Sequence, residues 1–255
     1  MELQQPPRRI VSTVPSQTEV LHYLGLEEAV AGITKFCVHP PHWRQTKTII
    51  GGTKNIHAAV IRRLKPDLIL ANKEENVKEQ IAALWQEAPV WISDVHDLGT
   101  ALEMIHSIGE LTGTTADAAK LVARIENDFA SLTPLSPLVR TAYLIWREPY
   151  MTTGHDTFIH HMLQQAGFEN VFAAQSRYPA ISIADLKAAN PQLVLLSSEP
   201  YPFRKKHIAE LQTHLPGTAI MLADGEPFSW YGSRLLHTPA FLRSLQQQVR
   251  TALWP

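Results

Sequence analysis

The chain reads as an α/β protein: two Rossmann-like lobes with mostly parallel sheets, joined by one long α-helix, with a ligand cleft between the lobes. Three observations predict this. First, Lys65-Pro66-Asp67-Leu68-Ile69-Leu70-Ala71 is echoed by Asn190-Pro191-Gln192-Leu193-Val194-Leu195-Leu196-Ser197. In each copy a helical stretch stops before a proline and a short apolar run follows. Proline disfavours a helical residue before it, and short runs of Ile, Val and Leu read as buried parallel strands. Second, strand-like and helix-like stretches alternate along both halves, as crossover units do. Third, residues 114–132 hold neither proline nor glycine, and Leu121, Ile125, Phe129 and Leu132 share one helical face. The domains follow: 1–112 for the first lobe, 113–133 for the connecting helix and 134–255 for the second lobe.

In the first lobe, Arg9-Ile10-Val11-Ser12 is strand-like. Ser16 with Glu19 three residues on has the spacing of a capping box, and the helix after it ends at Gly25. Val30-Ala31-Gly32-Ile33 is a second strand and Gly51-Gly52 a turn. Helices are predicted over 56–64, 76–86 and 98–111, and strands over 68–71 and 90–92. In the second lobe, strands are predicted over 142–146, 193–196 and 219–222. Helices are predicted over 157–166, 182–190 and 205–214. A last helical stretch over 232–249 is restarted or kinked by Pro239.

Composition excludes several classes. Hydrophobic residues make up 45% of the 255 residues, enough for real cores. The formal net charge of −1 gives no reason to expect nucleic acid or an anionic membrane as partner. No apolar stretch reaches membrane-spanning length. The single cysteine, Cys37, rules out an internal disulfide and a multi-cysteine metal site. Residues 1–9 show no apolar leader. With Met1 as the native start the expected location is cytoplasmic; a trimmed periplasmic protein is the alternative.

Ligands of open parallel sheets sit at the carboxyl ends of the strands, which directs attention to the loops there. Those of the second half are dense in aromatic rings, which give broad contact area at low entropic cost. The expected ligand wall is Trp146, Tyr150, Tyr201, Phe203, Phe228, Trp230 and Tyr231 from the second lobe, with Ser16, Lys35, His39 and Lys73 from the first. Arg147 and Arg234 are expected to take ligand carboxylates, because a guanidinium can bind them bidentately. His39 and His155 could supply an axial nitrogen to a chelated metal. Twelve histidines are many, yet no His-Glu-x-x-His or Cys/His cluster is present. The only candidates for direct metal ligation are the scattered His39, Glu74, His155 and Glu226. There is no Gly-x-Ser-x-Gly elbow or phosphate-binding loop either. A cytosolic α/β enzyme using His155 with a carboxylate such as Glu148 is the alternative from another class.

The order and spacing of Arg9-Ile10-Val11-Ser12, Pro15-Ser16-Gln17-Thr18-Glu19, His39-Pro40-Pro41, Gly51-Gly52, Lys65-Pro66-Asp67-Leu68-Ile69 and Pro191-Gln192-Leu193-Val194 resemble the helical-backbone (class III, TroA-like) substrate-binding proteins of ABC importers. Among them the cobalamin and iron-chelate branch is the most similar. The resemblance spans nearly the whole chain. It implies a non-catalytic receptor holding a corrinoid, haem or ferric siderophore in the interlobe cleft, with no covalent cofactor; bare divalent metal is the alternative ligand. It also implies a permease partner docked through one glutamate on each lobe, near the starts of the helices preceding the repeated Pro-strand units. Those neighbourhoods here read His57-Ala58-Ala59 and Ile183-Ala184-Asp185, so only the second offers an acid. A cytosolic receptor or carrier derived from the family therefore stands beside the importer reading.

Overall fold

The computed structural model describes residues 3–254. The chain divides into two compact units. Unit 1 holds the described residues up to Val95, then Gly99–Ile125 and Trp230–Arg234; unit 2 holds His96–Leu98, Glu126–Ser229 and the residues from Leu235 onward. The two short segments, 96–98 and 230–234, thus belong to a different unit from their immediate chain neighbours.

In chain order, the first stretch comprises β1 (Ile10–Ser12), α1 (Pro15–Tyr23), β2 (Val30–Ile33), α2 (Trp43–Thr46), β3 (Thr48–Ile49), β4 (Gly51–Gly52), β5 (Asn55–Ile56), α3 (Ala58–Leu64), β6 (Leu68–Asn72), α4 (Lys78–Ala82) and β7 (Val90–Ser93). Two long helices follow, α5 (Leu98–Thr112) and α6 (Thr115–Ala130). The boundary between the units at Ile125/Glu126 lies inside α6. The rest comprises β8 (Val139–Leu144), β9 (Tyr150–Met151), α7 (Phe158–Gln165), β10 (Phe168–Asn170), β11 (Ala180–Ile181), α8 (Ile183–Ala189), β12 (Leu193–Ser197), α9 (Lys205–His214), β13 (Ala219–Ala223), α10 (Glu226–Ser229) and α11 (Thr238–Leu253).

Unit 1 is built on a five-stranded sheet of order β3-β2-β1-β6-β7, and unit 2 on a four-stranded sheet of order β10-β8-β12-β13. Every pairing in both sheets is parallel. The apolar runs read from the sequence are central strands: Leu68, Ile69, Leu70 and Ala71 are fully buried, as are Leu193, Val194, Leu195 and Leu196. In unit 1 the chain leaves β1 for neighbours on both sides, β2 and β6; in unit 2, β8 lies between β10 and β12. The carboxyl ends of β1/β6 and of β8/β12 are therefore topological switch points, where open sheets leave a crevice.

The sequence echo is a structural one. Helices α3 and α8 both end on a left-handed residue, Lys65 at φ 47°, ψ 59° and Asn190 at φ 46°, ψ 60°. Proline and strand follow. An arginine at the head of the neighbouring strand clamps each turn. Arg9 Nε donates to the Leu64 carbonyl, and Arg140 Nη2 to that of Ala189. Backbone bonds repeat as well: Asp67 N–H to Arg9 carbonyl, Gln192 N–H to Arg140 carbonyl.

Three readings need correction. Ser16 caps no helix: the N-cap of α1 is Val14, with Pro15 in the first helical position. Proline suits that place because its missing N–H would have no helical partner. Serine and glutamate are consequently released for other partners. The helix expected over 76–86 shrinks to Lys78–Ala82, because the Asn76 side chain is tied back to the strand, accepting from the Asn72 N–H at 2.8 Å and the Thr13 hydroxyl at 2.8 Å. Around Gly51-Gly52 the expected turn is a short antiparallel ribbon of β4 and β5.

Candidate functional site

At the switch point of unit 1, strands β1 and β6 end in a buried polar network. Thr13 Oγ1 donates to Asn76 and the Leu70 carbonyl; Gln17 Nε2 donates to the Ala71 carbonyl and Ser93 Oγ. Asn72 Oδ1 accepts the N–H groups of Glu74 and Glu75, which shapes the loop after β6. Beside this network lies the segment Trp230–Arg234. Ser16 Oγ accepts the Tyr231 N–H at 3.2 Å, and the Tyr231 hydroxyl donates to the Glu75 carboxylate. The Trp230 ring meets His39 edge to face with centroids 5.3 Å apart, and the Arg234 guanidinium lies 5.7 Å from the Trp230 ring centroid. Arg234 Nη2 in turn pairs with Glu19 at 2.7 Å, their side chains only 18% and 13% exposed. Gly232 makes the close approach feasible: a Cβ there would sit 2.3 Å from the Ser16 carbonyl oxygen.

Ser16, His39, Trp230, Tyr231 and Arg234 are thus brought together in unit 1, although the sequence suggested the second lobe for the last three. Trp230 and Tyr231 are buried. Arg234, expected to receive a ligand carboxylate, has Glu19 as its carboxylate. Lys73 is exposed and pairs with Asp94; Lys35 lies over the Phe36 ring at 5.1 Å. Phe36, just beyond the carboxyl end of β2, is 50% exposed. Cys37 behind it is buried between Thr18 and Thr34, and burial pushes its thiol up from the ordinary value.

The switch point of unit 2 carries a different arrangement. Trp146 follows β8 with its side of the loop open to solvent, 40% exposed, and packs edge to face on Tyr201 at 5.7 Å between centroids. Tyr201 packs on Phe203 and on His207 behind it. The Nδ1 of His207 accepts the Arg204 N–H at 2.9 Å, which leaves the proton of the neutral ring on Nε2, 3.4 Å from Tyr201 Oη. Burial, reinforced by Lys206 and Arg147, holds this imidazole below the usual histidine range. Beside the rings, Arg147 donates from Nε and Nη2 to one oxygen of Glu210, at 3.3 and 3.1 Å, and Tyr150 Oη donates to the same oxygen at 3.0 Å. Burial alone would raise the Glu210 carboxyl; the bonds from Arg147 and Tyr150 outweigh it and hold it low. Glu148 pairs with Arg147 Nη1.

Here Trp146, Arg147, Tyr150 and Tyr201 come together as expected neighbours. Two other expected contributors are turned into the core. Phe228 is fully buried, packed against Tyr143 at 4.9 Å and Phe241 at 6.0 Å, so it is a core residue; α10 turns it inward. Phe203 is also buried and backs Tyr201 rather than presenting a face. His155 is exposed, its Nδ1 2.7 Å from the Gln175 carbonyl. Glu226 begins α10. Among the described residues no group of three or more His, Cys, Asp or Glu could hold a metal ion, so His39, Glu74, His155 and Glu226 form no such site there. Local sequence gave no sign of the partnerships that Glu19, Glu75 and Glu210 make at the two switch points. These glutamates lie 215, 156 and 63 residues from the groups they hold.

Comparison with known proteins follows the same line. The family model described as periplasmic binding protein matches residues 10–222. An uncharacterized ABC transporter substrate-binding lipoprotein, YvrC of Bacillus subtilis, is 26% identical over 205 residues, covering 76% of this chain and 64% of that protein. A cobalamin-binding protein of Halobacterium salinarum is 28% identical over 206 residues, covering 76% of this chain and 54% of its own length. The match therefore spans less than two thirds of either relative. Among solved structures, the periplasmic heme-binding protein RhuT of Roseiflexus sp. RS-1 superposes with a TM-score of 0.84 at 21% identity, over 96% of this chain and 99% of that one. Such a likeness shows a shared fold of two α/β lobes. With a family model matching most of its length, the chain belongs to the periplasmic binding protein family, the family its sequence resembles.

Proposed function

We propose that this protein binds a small metal-containing chelate, of corrinoid, haem or ferric siderophore type, and releases it unchanged, as the substrate-binding component of an importer. One observation carries the reading: at the switch point of unit 2 a solvent-exposed indole, Trp146, is held on Tyr201 beside the cation Arg147. An exposed flat ring with a polar anchor at its edge suits a planar, amphipathic ligand. The names of the relatives, which speak of cobalamin and of heme, support the same ligand class. The acid–base alternative asks His155 and Glu148 to act together, but His155 is engaged with Gln175 and Glu148 with Arg147. The bare-ion alternative finds no ligand group among the described residues.

Absorbance titration with hemin and with cyanocobalamin tests the proposal. Wild-type protein is expected to bind at least one of them with a shifted spectrum. Trp146→Ala should weaken that binding about tenfold, with little change in the unfolding midpoint because the ring is exposed. Absence of binding to both probes would overturn the reading. For the partner, co-purification with an ATP-driven permease is the corresponding test. The one acid at the expected docking positions, Asp185, is engaged in the capping box of α8, accepting from Ser182 N–H and Oγ at 2.8 and 2.7 Å.

A further inference from the structure

Arg147 is held in two unequal ways. On one side its Nε and Nη2 are fixed by a single oxygen of Glu210, which Tyr150 also holds. That arrangement orients the guanidinium plane whatever happens at its other edge. On the other side Nη1 meets Glu148, whose side chain is 75% exposed. Glu148 has φ of 68°, the left-handed region that residues with a Cβ enter at a cost. The next residue in the chain therefore bends back to place its carboxylate on the outer edge of the arginine. Trp146, the residue before Arg147 in the chain, is 40% exposed.

We infer that Glu148 is an internal competitor, a built-in carboxylate occupying the place on Arg147 that an anionic substituent of the ligand takes. The inference rests on the chelate-binding reading and narrows it to ligands carrying a peripheral carboxylate. Glu210 keeps the guanidinium aimed while Glu148 swings into solvent, and the ligand anion replaces it at Nη1. No bond is made or broken beyond this exchange of ion pairs. The exchange is nearly balanced because an exposed ion pair contributes little. A carboxylate carried by a bound ligand is shielded by the ligand's own ring system, sits in less water than Glu148, whose side chain is 75% exposed, and gains more from the same cation. A ligand with only neutral substituents at that edge would leave Glu148 in place and gain nothing from Arg147.

The test compares hemin, which bears two carboxylates, with hemin dimethyl ester, which bears none, on wild type and on Glu148→Gln. Removing the competitor should raise the hemin-to-ester affinity ratio about two- to fivefold. Arg147→Gln should collapse that ratio towards one. An unchanged or reduced ratio in Glu148→Gln overturns the inference while leaving chelate binding intact. Wild-type binding of cyanocobalamin but of neither porphyrin has the same meaning. Failure of wild type to bind hemin, its ester and cyanocobalamin overturns the inference together with the reading beneath it. Circular dichroism on each variant confirms the fold, and the exposure of Glu148 gives no reason for Glu148→Gln to lose it.

Discussion

The two units share a scaffold and differ in what stands over it. Each has a helix ending on a left-handed residue, a proline, a buried parallel strand and an arginine clamp, with φ and ψ of Lys65 and Asn190 agreeing to a degree. Yet the switch point of unit 1 is taken up by the chain's own Trp230–Arg234, tied down by Ser16, Glu75 and Glu19. That of unit 2 shows an open indole and an arginine with an exposed carboxylate beside it. The scaffold rests on backbone chemistry that any pair of similar segments can repeat. The surfaces above it rest on side-chain partnerships, and those diverge without disturbing the strands.

The contrast breaks most visibly at Phe228. As a core residue it should cost about 3–5 kcal/mol of stability when changed to Ala, read from the urea midpoint. A small loss of stability with a large loss of ligand affinity would return it to the ligand wall. Next comes the anchor of the unit 1 segment. Arg234→Ala removes the cation paired with Glu19 at 2.7 Å and should cost about 3 kcal/mol. Adding Glu19→Gln should recover part of that loss, a coupling that a double-mutant cycle measures. If the single and double variants differ by nothing, the pair holds nothing in place. Gly232→Ala puts a methyl group against the Ser16 carbonyl. It should cost about 1–3 kcal/mol and loosen hydrogen exchange at Tyr231, whereas a silent substitution would mean that the segment does not approach Ser16 so closely.

The smallest effect separates the twin turns themselves. Both left-handed positions prefer glycine, but asparagine tolerates that region better than lysine. Lys65→Gly should therefore stabilise by up to about 1 kcal/mol, and Asn190→Gly by less. Equal gains would show that the two turns are under equal strain. The helices leading into them differ too. Helix α8 starts with a full capping box of Ser182 and Asp185, whereas α3 starts at His57 with no side-chain cap.

Much of this architecture was legible because it follows from short-range preferences. The proline-stopped helices, the apolar strands and the helix over 115–130 all depend on residues within a turn or two of each other. The start of α1 misled for the same reason: Ser16 and Glu19 have capping-box spacing, but Pro15 claims the first helical turn, and the two side chains serve Tyr231 and Arg234 instead. Rings in loops were legible as a group and not individually. A sequence shows that Phe228 and Trp146 both follow strands; it does not show that one turns inward onto Tyr143 and the other outward on Tyr201.

By itself, then, the sequence determined two α/β units, their parallel strands, their matched helix–proline–strand segments and the family to which they belong. Only the tertiary structure decided that Trp230–Arg234 belongs with unit 1, that Phe228 is core, and that Arg147 and Arg234 already hold carboxylates. The physical reason is range. Backbone propensity is settled among neighbours a few residues apart, whereas burial and ion pairing are settled between groups as far as 215 residues apart, whose meeting depends on the whole fold.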